Sequence, residues 1–119
     1  MDGLGYTAQE FLESLLPVLN GRVAAYLGKA PVPVTAEFVP VIRELVERLP
    51  GGRVVKSRRV LGRAFIQIRH IELLEERGWP NTLLHEMIHI YLPRVNHRRV
   101  RTVERSLVRA LKKEKNEDG

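Results

Sequence analysis

Three of the four histidines of this chain stand in one stretch, Asn81 to His97, which reads NTLLHEMIHIYLPRVNH. Within it, His85 and His89 frame the pattern H-E-x-x-H. On a helix, side chains four residues apart project from one face, so both imidazoles can reach one ion. Zinc accepts neutral imidazole nitrogens, and a catalytic zinc site leaves one tetrahedral position for water. Glu86, beside the first ligand, is placed to take a proton from that water as a general base.

A third ligand must come from further along the chain, and two residues compete for the position. His97 follows His89 by eight residues, just past Pro93, so a chain that reverses there can fold this imidazole back over the ion. Glu104 lies on the edge of an apolar stripe, where an unpaired carboxylate is costly. If the last two helices are antiparallel, Glu104 lies at the height of the histidine pair. It is therefore either a ligand in a His-His-Glu site or a residue that orients a ligand imidazole.

Two observations reduce the number of candidate metal ligands. The metzincin arrangement is excluded, because it needs Gly and His where this chain has Leu92 and Val95. His70 falls within a predicted strand, so we interpret it as structural and leave it out of the site. Without a metal, His85 and His89 would be partly exposed histidines of a core helix, bonded to carbonyl or carboxylate groups.

The first predicted element is a helix near the N-terminus. Thr7 and Glu10 have the spacing of a capping box, and apolar residues follow at helical intervals, so the helix is predicted to begin near Ala8. Pro17 is expected to kink or divide it, with a short helical piece ending near Gly28.

The next elements are predicted to be a helix and a pair of strands. One apolar stripe predicts a helix over residues 35–52, ended by Pro50-Gly51-Gly52. From Arg53 the chain is rich in Val and Ile with alternating polarity, which predicts two antiparallel strands that turn near Leu61-Gly62.

Two helices are predicted to follow and to carry the chemistry. The first begins at Pro80 or Asn81, ends at Pro93 and presents the histidine pair. Asn96 is suited to cap the second, which is amphipathic, before residues 112–119 fray into a charged tail. The sequence thus predicts an α+β fold: N-terminal helices, a small antiparallel sheet, an H-E-x-x-H helix and a basic C-terminal helix.

Composition limits the class of protein. The chain has 119 residues, which predicts a single domain over 1–119, and it has no cysteine, so metal ligands must be His and carboxylate. No run approaches the roughly 18 apolar residues of a membrane span, and the N-terminus is acidic rather than basic before its apolar stretch. We therefore expect no signal peptide, no membrane partner and a cytoplasmic location.

Positive charge is concentrated near the C-terminus. The net charge is +6 and the sequence pI is about 10.2, which favours polyanionic partners such as nucleic acid. Because the apolar stripe of the last helix packs inward, five basic side chains are predicted to face solvent, where they can contact DNA phosphates. They are Arg98, Arg101, Arg105, Arg109 and Lys112. A solvated basic face is the alternative, since no aromatic residue interleaves the charges.

The stretch LGRAFIQIRHIELLEERGWPNTLLHEMIH, Leu61 to His89, resembles the core of the SprT-like zinc metallopeptidases, which include the Spartan DNA-protein crosslink proteases. That family pairs a Leu-Gly-Arg-Ala-type strand and an Ile-x-Leu strand end with a Thr-Leu-Leu-His-Glu-Met-Ile-His helix. The resemblance implies a zincin core with His85 and His89 as zinc ligands and Glu86 as general base. It also implies a third histidine downstream, for which His97 is available.

The chain departs from this family after the helix. The family has a longer insertion and a His-Gly pair with a nearby aromatic residue, whereas this chain has Asn96-His97-Arg98-Arg99. Its Asn-His pair and short spacing are similar to the YgjP-like branch of zincins. Zincins commonly hold an extended substrate along a sheet edge, so the resemblance further implies that the strand ending near Leu73 receives a peptide by strand addition.

The predicted function is a zinc-dependent metallopeptidase that hydrolyses peptide bonds of protein or peptide substrates, including DNA-associated proteins. Its predicted metal ligands are His85, His89 and His97, with Glu86 as the catalytic residue. One alternative is a gluzincin-like peptidase with Glu104 as the third ligand. The other is a non-enzymatic nucleic-acid-binding module in which zinc only holds two helices together.

Overall fold

A computed structural model of the protein describes residues 7–40, 42, 47–48, 54–55 and 61–118, in which short strands lie between an N-terminal helix and two C-terminal helices. Within these residues no helix combines the length and apolar character that crossing a bilayer requires. In chain order the elements are α1 (Ala8–Tyr26), β1 (Thr35–Phe38), β2 (Glu47–Arg48), β3 (Val54–Val55), β4 (Gly62–Phe65), β5 (His70–Leu73), α2 (Trp79–Tyr91) and α3 (His97–Asp118).

The larger sheet is mixed and has the strand order β1-β5-β4. Strand β5 pairs in parallel with β1, where Thr35 lies opposite His70, and antiparallel with β4, where Gly62 lies opposite Leu73. Strands β2 and β3 form a separate antiparallel pair. The α+β class is confirmed, but the prediction of a purely antiparallel sheet is wrong, because β1 adds a parallel strand.

Helix α1 begins where the capping box predicts. The Thr7 hydroxyl accepts a hydrogen bond from the Glu10 backbone N–H at 3.1 Å. The helix continues through Pro17, so this proline does not divide it. It ends at Tyr26, and just beyond it the N–H groups of Gly28, whose φ of 67° suits glycine, and of Lys29 bond back to the last turn.

The predicted helix over residues 35–52 is wrong at its start, where the chain forms β1. Thr35 to Phe38 alternate between exposed and half-buried positions, which is the period of a strand. Pro33 and Pro40 bracket this segment and disfavour helical backbone on either side. Glu47 and Arg48 also form a strand, whereas residues 41, 43–46 and 49–53 lie outside the described part of the chain.

The prediction of two strands that pair across a turn at Leu61-Gly62 is wrong: in the described part of the chain β3 pairs with β2, and β4 pairs with β5. Leu61-Gly62 stands at the start of β4, and the chain reverses over residues 66–69 instead. Arg69 has a φ of 53°, and its N–H bonds to the Ile66 carbonyl oxygen, which closes this turn. Ile66 and Ile68 therefore lie in an exposed turn between β4 and β5.

The inner face of the sheet and the apolar sides of the helices form one core. Helix α2 is central to it, since it packs against α1, α3, β4 and β5. The Tyr91 hydroxyl donates to Asn20 Oδ1 at 2.5 Å and accepts from the Val32 N–H at 3.1 Å, which fixes the end of α2 to α1 and the following loop. The fully buried side chains include Leu12, Val23, Ile71, Leu73, Leu83, Met87, Ile88 and Val100.

Helix α3 begins where Asn96 is predicted to cap it. The Asn96 Oδ1 atom accepts a hydrogen bond from the Arg99 N–H at 2.9 Å. The helix continues to Asp118, so residues 112–118 are helical in the structure, where the sequence indicates a frayed tail. The prediction of a single domain over the whole chain stays a prediction.

Candidate metal centre

Two helices bring three histidines together at one point. His85 and His89 lie one turn apart on α2, and His97 is the first residue of α3. Between the helices the chain reverses over residues 92–96, helped by a hydrogen bond from the Val95 N–H to the Leu92 carbonyl oxygen. This reversal carries the His97 imidazole back to the histidines of α2.

The ring nitrogens of these histidines converge at distances that fit a metal. His85 Nε2 lies 3.2 Å from His89 Nε2 and 3.3 Å from His97 Nδ1. Zinc–nitrogen bonds of about 2.0 to 2.1 Å place two ligands of a tetrahedral ion about 3.3 to 3.4 Å apart. All three ligand atoms lie within 4.8 Å of one another, so the three imidazoles can hold a metal ion.

The protonation of the α2 histidines favours metal binding. Burial, followed by the nearby His97 and Arg101, lowers the pKa of His85 to about 4. Burial, followed by His85 and His97, likewise lowers the pKa of His89 to about 4. Both imidazoles are therefore neutral at pH 7, which is the form that binds a metal without first losing a proton.

Glu86 is the buried carboxylate of the site, with only 9% of its surface exposed. Burial, with a smaller contribution from the negative charge of Glu104, raises the pKa of Glu86 to about 7. A general base works best when its pKa is near the working pH. The fold therefore gives Glu86 the proton affinity that the predicted role needs.

Gly62 allows strand β4 to pass close to this carboxylate. A Cβ atom at position 62 would lie 2.5 Å from Thr82 Cγ2 and 3.2 Å from Glu86 Cγ. Thr82 and Glu86 are four residues apart and share one face of α2. The sequence interpretation missed this contact by placing a turn at Leu61-Gly62, although a glycine within a strand pattern is a known sign of close backbone approach.

Replacing Gly62 by alanine is expected to destabilise the protein by about 1–3 kcal/mol, because the added methyl overlaps the stiff, β-branched Thr82. The midpoint and slope of urea unfolding measure this change. Gly21→Ala is the matched control: Gly21 lies within α1 with no atom within 4 Å of the added Cβ, so about 0.5–1 kcal/mol of stabilisation is expected. Equal stability of Gly62→Ala and the wild type would show that β4 does not approach α2 this closely.

Glu104 lies next to the three histidines, on the side of the His85 ring that faces away from His89 and His97. Its Oε2 atom is 3.6 Å from His85 Nδ1, whereas His85 Nε2 faces the other two imidazoles. Burial raises the pKa of Glu104, and the charges of Arg101, His97 and Arg105 oppose that shift. The residues that meet at a common point are thus His85, His89 and His97, and Glu104 contacts the opposite ring nitrogen.

The five basic residues predicted to bind DNA are all exposed and follow one side of α3 at spacings of three or four residues. Arg101 and Arg105 lie near Glu104, since their charges act on its carboxyl group. Arg98 instead lines a surface groove with Arg99, Thr102 and Tyr26. The remaining two, Arg109 and Lys112, lie further along the helix.

Comparisons of the chain with protein-family models, curated proteins and solved structures found no match. The arrangement of two helices, three converging imidazoles and a buried glutamate therefore supplies the argument for function.

Proposed function

We propose that this chain is a zinc-dependent metallopeptidase. The observation that carries the proposal is the convergence of three imidazole nitrogens, with separations of 3.2 and 3.3 Å, beside a buried glutamate whose pKa is near 7. Three histidines and a water molecule are a ligand set that catalytic zinc uses. The residues assigned to the metal are His85, His89 and His97, and Glu86 is assigned as the catalytic residue.

The zinc ion that the three histidines would hold, and Glu86, have different tasks in peptide hydrolysis. A bound zinc ion would lower the pKa of a coordinated water molecule and polarise the scissile carbonyl group. Glu86 accepts the proton of the attacking water and delivers it to the leaving amine, which is general base and then general acid catalysis. The burial of Glu86 keeps this proton transfer away from bulk solvent.

Strand β4 is the element best placed to hold a peptide substrate. The resemblance to zincins implies strand addition at the strand ending near Leu73, but that strand is β5, whose two sides are occupied by β1 and β4. Among the described residues β4 pairs only with β5, and its first residue, Gly62, lies against Glu86. An extended peptide paired with the outer edge of β4 would run beside the general base.

The proposal is supported by the resemblance of the stretch Leu61 to His89 to the SprT-like zincins, and of the Asn96-His97 pair to the YgjP-like branch. DNA-associated proteins are the substrate class that this resemblance suggests. The proposal is tested by incubating the zinc-loaded protein with an unfolded protein substrate and measuring new amino termini. Hydrolysis that requires zinc and Glu86 would support it. Tight zinc binding without any hydrolysis would instead favour a structural metal.

Nucleic-acid binding is the second candidate function, favoured by the groove between α1 and α3. The groove brings Tyr26, with 43% of its surface exposed, beside Arg98 and Arg99. In the described part of the chain neither guanidinium forms an ion pair. A hydrogen bond of 2.6 Å to Ser106 fixes the Tyr26 ring, so the groove joins positive charge to a stacking surface, as in single-strand binding proteins.

A double variant tests this groove. Arg98→Gln with Arg99→Gln is expected to weaken binding of a labelled single-stranded oligonucleotide and to lower the slope of log affinity against log salt by about 1.4, because two phosphate contacts are lost. Fluorescence anisotropy at several salt concentrations measures both quantities. Arg109→Gln with Lys112→Gln removes the same charge elsewhere on α3, so equal losses in the two double variants would indicate a diffuse basic surface.

A further inference from the structure

We infer that Glu104 is a positioning residue that orients His85 for metal binding, and that it is not itself a ligand. The inference rests on the proposed metal site and deepens it, because it assigns a role to the carboxylate that competes with His97 in the sequence. A ligand and an orienting residue contact different ring nitrogens of His85.

The two nitrogens of the His85 ring have different partners. Nε2 faces His89 and His97 at 3.2 and 3.3 Å, which is the side where the ligand atoms converge. Nδ1 faces the Glu104 carboxylate at 3.6 Å. Because these nitrogens point away from each other, a carboxylate that contacts Nδ1 lies behind the ring and not at the metal.

The His85 ring is the basic group nearest to the Glu104 carboxylate. The Glu104 side chain is only 23% exposed, and among the described residues His85 Nδ1, at 3.6 Å, is the one basic nitrogen within 4.0 Å of it. A half-buried carboxylate needs a hydrogen-bond donor or a positive partner. The Nδ1–H group of a metal-bound imidazole is such a donor, and outer carboxylates commonly fix the ring and tautomer of metal-binding histidines in this way.

The packing of α3 against α2 explains why Glu104 lies next to His85. Glu104 is seven residues after His97 on α3, so the two side chains lie on one face of the helix, two turns apart. That face packs against α2. His97 consequently reaches the front of the His85 ring and Glu104 reaches its back, so α3 contributes one ligand and one orienting group.

Zinc affinity measured by chelator competition tests the inference directly. Glu104→Ala is expected to weaken zinc binding by about 10- to 100-fold, the usual effect of removing an outer partner of a metal-binding histidine. The zinc affinity of Glu104→Gln is expected to lie between those of Glu104→Ala and the wild type. An amide oxygen can accept a hydrogen bond from Nδ1–H, but it carries no charge. Glu114→Ala is the control: this glutamate is on α3 and pairs with Arg22, so its loss should leave zinc affinity unchanged.

Two spectroscopic measurements separate an orienting residue from a ligand. In the cobalt-substituted protein, the visible absorption of a tetrahedral site should be the same in the wild type and Glu104→Ala. Nitrogen-15 spectra of the zinc-loaded wild type should show His85 protonated at Nδ1 and bound through Nε2. A changed cobalt spectrum in Glu104→Ala would overturn the inference and make Glu104 a ligand.

Two further outcomes distinguish failure of this inference from failure of the proposed function. Wild-type zinc affinity in both Glu104 variants would overturn the inference and leave the proposed metal site intact. A wild-type protein that binds no zinc would overturn the proposed function together with the inference. Circular dichroism of each metal-free variant identifies any loss of affinity that comes from unfolding, and Glu104→Gln preserves the size of the side chain where Glu104→Ala does not.

Discussion

Zinc affinity is expected to fall by more than about 100-fold when His97 is replaced by alanine, because losing a direct ligand should cost more than losing an outer partner. His97 supplies one of the three converging nitrogens and is the only one from α3. Its loss leaves His85 and His89, which cannot complete a catalytic site without another donor. Chelator competition with the purified variant measures the change.

His70→Ala is the matched control for this variant. It removes the one histidine that lies outside the stretch Asn81 to His97. His70 lies on β5 and contacts Thr35 at 2.6 Å and Glu37 at 3.1 Å. His70 is outside the group that can hold a metal, so zinc affinity should not change. If His97→Ala kept wild-type affinity while Glu104→Ala lost it, the ligand set would be His-His-Glu and our assignment would be wrong.

The part of the site that sequence predicts well is the part built on local structure. His85, Glu86 and His89 share one helix, so their geometry follows from helical spacing once Pro80 and Pro93 mark its approximate ends. The position of His97 depends only on a short reversal and on the cap at Asn96, which the sequence also indicates. These features can be predicted without knowing which distant segments of the chain are in contact.

The parts that sequence does not predict are set by contacts between distant segments. Residues 35–38 have an apolar pattern compatible with either period, and pairing with β5, about 35 residues later, determines that they form a strand. Similarly, Leu61-Gly62 resembles a turn until Thr82 and Glu86 are known to lie beneath it. The groove at Tyr26 also joins residues about 70 positions apart, so the sequence alone shows no aromatic residue among the basic ones.

Replacing Glu86 by glutamine is expected to lower the rate of peptide hydrolysis by about 10²- to 10⁴-fold, the usual contribution of a general base. Glutamine has nearly the same size but cannot accept the proton of the attacking water. Zinc affinity should remain that of the wild type, because Glu86 is not among the three residues that lie close enough to hold a metal ion. New amino termini released from an unfolded protein substrate, with bound zinc measured in parallel, give both quantities.

The stability of the metal-free Glu86→Gln variant shows whether lost activity is a catalytic effect. The folded protein raises the pKa of Glu86 from 4.5 to about 7, so it binds more protons than the unfolded chain between these values. This group therefore lowers wild-type stability as pH rises from about 4.5 to 7, and glutamine removes that fall. The lowered pKa values of His85 and His89 act in the opposite direction, because the unfolded chain binds more protons at these two residues. With the opposing contribution of Glu86 removed, urea unfolding should show a stability that rises more from pH 5 to pH 7 in the variant than in the wild type. An inactive variant that is also less stable than the wild type at pH 7 would point to unfolding, and full activity in a zinc-loaded variant would exclude Glu86 as the general base.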